Sequence, residues 1–385
     1  MNTVAKSIRS YHSLTSRTVY PILLMVSITH LLNDMMQSVI PAVYPLLKEK
    51  FDFTFAQIGL ITLVFQLTSS LLQPVAGLLV LAFAPGFVWI LIAVGLIGCG
   101  SSVFHPESSR VAQLASGGRK GLAQSIFQVG GNAGSAMGPL LAALIVIPFG
   151  QSSIGWFALT ALLAIFILVR IGDWSKRRLA IAVRRPDAAE TAFAHSLPQR
   201  KIHTALVILG ILVFSKYFYI ASMTSYFTFF LMDKFAVSVQ GAQYCLFAFL
   251  AASAAGTFIG GPLGDRIGRK YVIWGSILGA APFTLLLPYV GLAATVVLSV
   301  VIGLVISSAF SAILVYATDL MPGKVGMIAG VFFGLMFGLG GLGSAFFGWL
   351  ADRTSIEFIF QVSTLLPLLG VITGFLPNIE SKSGK

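Results

Sequence analysis

Charge is what this chain has least of. Among 385 residues there are 13 acidic and 25 basic ones, so 10% of positions are charged while 57% are hydrophobic. Soluble domains carry charge at about a quarter of positions. With a mean hydropathy of +0.91, a soluble globular protein is excluded. Cysteine is nearly absent. Cys99 and Cys245 both lie in apolar runs, which argues against a structural disulfide or a thiolate metal site. No small-residue cleavage site follows the first apolar run, which is too long for a signal peptide and carries Asn33 and Asp34. That run, from about Val19 behind a short basic head (Lys6, Arg9, Arg17), is therefore read as a retained membrane span. The net charge of +12 does not imply nucleic acid, because the basic residues sit in connections between apolar runs.

What is present is a series of eleven apolar runs, at 19–47, 56–84, 87–114, 121–148, 151–172, 204–232, 237–262, 271–290, 292–318, 325–350 and 356–377. The expected fold is an all-α membrane protein with an N-terminal bundle (1–172), a basic linker (173–203) and a C-terminal bundle (204–385). Basic connections (Arg119-Lys120, the 173–203 segment, Arg266/Arg269/Lys270, Lys324) alternate with nearly neutral ones. The basic side should be cytoplasmic, and both termini with it.

The two halves repeat. Ser101-Ser102-Val103-Phe104 precedes Gly118-Arg119-Lys120-Gly121, and Ser307-Ser308-Ala309-Phe310 precedes Gly323-Lys324-Val325-Gly326, at nearly equal spacing. The repeat exposes a shortage. Gly261 to Ser307 is forty-six residues, but Gly77 to Ser101 is only twenty-four, so about one helix is missing from the first bundle. The run 56–84 must cross once, inverting everything after it, or fold back as a shortened hairpin. A single crossing would put the basic linker outside, so the hairpin is expected.

Ionisable residues inside spans are costly and mark functional sites. On the first run His30 and Asp34 are i and i+4, with Gln37 near the same face. Asp34 needs a partner or a proton there, and it is either a proton carrier or a structural acid. In Gly100–Arg110, Glu107 and Arg110 are i and i+3 and can pair. His105 lies about 200° round a regular helix from Glu107, so both face one cavity only if Pro106 reorients the turn. Glu107 and Arg110 are taken as the cavity pair and His105 as the weaker candidate. The plainer alternative makes all three interfacial. Metal binding by His30, Asp34, His105 and Glu107 is conceivable, but their spacing does not demand it. On the next run Gln124, Gln128 and Asn132 form an amide stripe opposite Gly130, Gly134 and Gly138, and Gly138-Pro139 should break the helix. Lys216, among Tyr217, Tyr219 and Tyr226, either snorkels or meets an anion.

Gly261-Pro262-Leu263-Gly264-Asp265-Arg266-Ile267-Gly268-Arg269-Lys270 matches the G-x-L-x-D-R-x-G-R-K loop signature of the major facilitator superfamily. Within it the chain resembles the fosmidomycin resistance (fosmidomycin efflux) family. The likeness is carried by Ser27–Asp34, Gly100–Arg110, Gly118–Asn132 and Leu320–Gly330, and extends over nearly the whole length. The resemblance implies twelve helices in two six-helix bundles, here about eleven because the third span is largely missing. It also implies a bacterial inner-membrane location and proton-coupled export of the phosphonate antibiotic fosmidomycin. On this reading Asp34, Glu107, His30 and His105 exchange protons, while Arg110, Lys216, Gln128 and Asn132 hold a small anion. Gly261, Gly264, Asp265, Arg266, Gly268 and Arg269 form the conformational-switch loop. A monomer in the lipid bilayer is expected, with no cofactor and no resident metal. Two alternatives stay open: uptake of sugars or organic anions by symport, and a shortened, transport-incompetent remnant. An enzyme is not expected, since no nucleophile and base are convincingly spaced.

Overall fold

The computed structural model describes residues 18–67, 74–117, 120–182, 198–321 and 324–379, and among these every regular element is a helix. The N-terminal basic head, the linker residues 183–197, Arg119 and Gly323 lie outside the described residues. Nine helices among the described residues are long and apolar enough to cross a membrane.

The first bundle begins with α1 (Tyr20–Ala42), continued by α2 (Tyr44–Phe51). Next come α3 (Phe55–Leu67), α4 (Pro74–Phe83) and α5 (Phe87–Ala115). The helix α6 (Lys120–Leu141) continues through a π turn at Ala142–Val146, and α7 (Phe157–Ala182) completes the bundle. The expected break at Gly138-Pro139 is thus displaced: Pro139 stays inside α6, and the hydrogen-bonding register changes only in the π turn that follows. The second bundle comprises α8 (Gln199–Phe235), α9 (Val239–Ile267), α10 (Arg269–Leu286), α11 (Leu292–Ser307), α12 (Ala309–Leu320), α13 (Val325–Arg353) and α14 (Ile356–Ser363), the last extended by a 3₁₀ segment at Leu366–Phe375. Because α7 runs to Ala182 and α8 starts at Gln199, both edges of the expected linker are helical.

Connections gather at two ends. At the basic end Val19 N–H bonds to Ala115 O at 2.8 Å, Arg269 pairs with Asp319, and Lys270 bonds to Gly374 O at 3.0 Å. The opposite, neutral end holds the turns near 52, 85, 150, 236, 290 and 354. There Gly150 (φ 79°) supplies a backbone turn that L residues rarely adopt.

The short hairpin is real. Gln151 donates to Leu81 O and Ala84 O at 2.8 and 3.2 Å and accepts from Lys50 at 2.7 Å; the Phe53 and Phe87 rings meet at 5.3 Å. The chain therefore enters α3 and leaves α4 at the same, neutral end. With 13 and 10 residues, the arms span about 20 and 15 Å, against a hydrocarbon core of about 30 Å. Within the described residues neither helix is long enough to cross alone, and α5 still starts from the neutral end.

The α1/α6 contact fixes the site. A Cβ on Gly130 would meet the backbone of Ser27, one on Gly134 that of Leu31, and one on Gly138 the Ser38 side chain. This small-residue face brings two helix backbones into contact. The matching stripe on α13 does not repeat the packing, for Gly330, Gly334 and Gly338 have no neighbour within 4 Å of such a Cβ.

Candidate functional site: a charged cavity between two bundles

A cavity of about 270 Å³ lies between the bundles, lined from one side by α1, α3, α5 and α6 and from the other by α8, α9, α11, α12 and α13. Its polar groups come from both halves of the sequence.

On the first wall, the i, i+4 spacing on α1 puts His30 Nε2 3.3 Å from Asp34 Oδ2. From α5, His105 Nε2 approaches to 3.1 Å from His30 Nε2 and 3.5 Å from Asp34 Oδ1. Both imidazoles are buried, at 3% and 4% exposure. The His30 ring stacks on Phe127 with centroids 4.0 Å apart, and its Nδ1 bonds to the Phe127 carbonyl at 2.7 Å. A carbonyl only accepts, so Nδ1 carries a hydrogen, and neutral His30 presents a lone pair at Nε2. Two acceptors 3.3 Å apart attract only with a proton between them. His105 Nε2 lies within reach of both, and a hydrogen on it can be accepted by His30 Nε2 and by Asp34, so the three side chains form one hydrogen-bonded cluster. Asn33 donates a further bond to Asp34 Oδ1 at 2.9 Å. The three ligand-type atoms fall within 4.8 Å of one another, so any metal would be sought here, without Glu107.

On the second wall stands Lys216 of α8. It is 2% exposed, so it does not snorkel. Its ammonium lies 5.4 Å from the Tyr217 ring centroid and 5.7 Å from that of Phe310, within cation–π range. Among the described residues no carboxylate pairs with it, and a desolvated ammonium so placed is a strong attractor for an anion. Gln128 and Asn132 of α6 also line the cavity, whereas Gln124 is drawn off it by a 2.9 Å bond from Ser109.

Two expected cavity residues are elsewhere. Glu107 and Arg110 pair with each other on α5, each about half exposed, and neither lines the cavity. The physical reason is angular. Helix α5 is continuous through position 106, so the roughly 200° between His105 and Glu107 is preserved, and only His105 turns inward. His105, the weaker candidate by sequence, is the one that meets Asp34. The angular argument separates the two residues but does not choose between them; the choice comes from the neighbouring His30 and Asp34 on α1.

In the switch loop, Gly268 (φ 100°) ends α9, and its N–H bonds to Gly264 O at 3.1 Å. Arg269 reaches Asp319 at the end of α12 and Arg266 is exposed. The packing around Gly261 and the side chain of Asp265 lie outside what is described.

Two repeated helical bundles enclosing a charged cavity define a membrane transport protein, and the chain belongs to the major facilitator superfamily, whose family model matches residues 208–385. It is 56% identical to the Fosmidomycin resistance protein of Escherichia coli (strain K12), with 95% of each chain covered. That alignment runs to 389 positions, more than the 385 residues present here, as it must where the relative carries residues this chain lacks. The chain is also 41% identical to the uncharacterized MFS-type transporter YfnC of Bacillus subtilis (strain 168), with 94% of each covered. Among solved structures, it matches a bacterial homolog of the human lysosomal transporter Spinster, in an inward-facing and occupied conformation. The TM-score is 0.64 at 16% identity, covering 93% of this chain and 94% of that one. That likeness concerns the fold alone.

Proposed function

We propose that this multi-pass transporter is a proton-coupled antiporter that exports small anionic phosphonates of the fosmidomycin class across a bacterial inner membrane. It would work as a monomer with the basic end and both termini cytoplasmic. One observation carries the reading: the buried His30–Asp34–His105 cluster and a buried lysine, Lys216, face the same cavity from opposite bundles. The anion binds at Lys216 with Gln128 and Asn132, and the proton resides on the cluster. A rocking motion that parts the walls at one end and joins them at the other exposes both to each side in turn. Glu107 and Arg110, paired away from the cavity, are left out of this scheme.

The half-length α3/α4 hairpin favours a second reading, in which the shortened first bundle no longer transports. Counterflow of labelled fosmidomycin in proteoliposomes separates the two. Exchange above protein-free vesicles supports the transporter reading. Its absence from protein that is folded and inserted supports the remnant. A proton gradient that fails to drive net movement where exchange is intact overturns the coupling alone.

A further inference from the structure

We propose that Asp352 is a gating residue of the transport cycle, closing the neutral end by capping a helix of the opposite bundle. The hydrogen bonds that join the bundles gather at that end. Gln243 donates to Ala42 O at 2.6 Å and Gln240 to Ala143 O at 3.1 Å. The third link is of another kind. Asp352, in the last turn of α13, accepts from Phe55 N–H through Oδ1 at 2.7 Å and from Ala56 N–H through Oδ2 at 2.6 Å.

The first four N–H groups of any α-helix lack partners within it. In α3 two of these are satisfied locally, Thr54 N–H by Gln57 Oε1 at 2.9 Å and Gln57 N–H by Thr54 Oγ1 at 3.2 Å. The other two are satisfied by Asp352, from the far bundle. The carboxylate also places a negative charge at the positive end of the helix dipole. The helix is therefore fully capped only while the bundles touch, and separation transfers two donors and a carboxylate to water.

The approach is built into the sequence. A Cβ on Gly348, one turn before Asp352, would meet Phe55 O, and one on Gly59 would lie 2.6 Å from Ser344 O. Tyr226 OH donates to that same Ser344 O at 2.7 Å. The segment Gly348-Trp349-Leu350-Ala351-Asp352-Arg353 repeats the Gly-x-Leu-x-Asp-Arg pattern of Gly261–Arg266. Both copies lie at the C-terminal end of a helix, but at opposite ends of the molecule, since α9 runs to the basic end and α13 to the neutral end. The second copy lies inside an apolar run rather than in a basic loop, so the sequence alone does not set it apart.

The test is a distance measurement between the bundles that needs no substrate, so it stands apart from the identity of the cargo. Spin labels go on Gly86→Cys, where an added side chain meets nothing within 4 Å, and on Tyr289→Cys, an exposed residue of the second bundle. Cys99→Ser and Cys245→Ser remove the native thiols. Asp352→Ala should add a longer-distance population, raising the open-to-closed ratio roughly threefold or more, with Asp352→Asn, which keeps one acceptor, in between. Glu357→Gln is the control, because its 2.7 Å pair with Lys234 sits at the same end but within one bundle. It should leave the distribution unchanged. If Asp352→Ala does not fold, Asp352→Asn carries the test. Distances unmoved by the folded Asp352 variants, or moved equally by Glu357→Gln, overturn the proposal.

Discussion

His30 and His105, seventy-five residues apart, face each other through their Nε2 atoms at 3.1 Å beside Asp34. Two nitrogen lone pairs cannot share that distance, so at least one of the two carries a hydrogen there. The Phe127 carbonyl fixes which nitrogen of His30 is free to take part. That hydrogen ties α5 to α1 beside the Asp34 carboxylate.

This geometry depends on Gly131. A Cβ there would collide with the His30 imidazole and come within 2.7 Å of Asp34 Oδ2. Gly131→Ala should abolish proton-driven transport while the protein still reaches the membrane. Gly134→Ala, which strikes the Leu31 backbone instead, should lower thermal stability. The pair of melting and transport assays checks the contrast; equal effects at both positions would contradict it.

Lys216→Met should weaken anion affinity by roughly tenfold or more, the usual scale for a lost charge-assisted bond. Stability should be unchanged or higher, because a buried ammonium with no carboxylate partner among the described residues is removed. Binding by calorimetry and melting on the same sample give both numbers. Undiminished affinity would place the anion elsewhere.

Glu107→Gln should cost little. The pair with Arg110 is half exposed and separated by three residues on one helix, an arrangement worth about 0.5 kcal/mol or less. Transport within about twofold of the parent is expected in the vesicle assay.

Topology mapping should put Pro85 on the same side as Asp52 and Lys270 on the other. This follows from the bonds of Gln151 to Leu81 and Ala84. A reporter at Pro85 on the Lys270 side would mean a single crossing and an inverted second half.

Much of this was legible in the sequence because membranes impose strong rules. Run lengths mark the helices, basic loops mark the two ends, and the unequal halves expose the short hairpin. The α1 pair was legible too, since i, i+4 spacing leaves His30 and Asp34 no choice of face. Glu107 and Arg110 were misplaced because the roughly 200° between His105 and Glu107 says that only one of them faces inward on a straight helix, not which one. Asp352 was missed because its partners, the Phe55 and Ala56 amides, lie nearly three hundred residues away and are backbone groups that no motif displays.

The decisive measurement is fosmidomycin transport by Asp34→Asn in proteoliposomes, read twice on the same preparation. With a proton gradient imposed, the variant should show no net accumulation, because the amide cannot carry the proton. Counterflow exchange without a gradient should continue, since Lys216 and the opposite wall are untouched. Gradient-driven accumulation at the parent's level would contradict a proton-carrying Asp34 cluster.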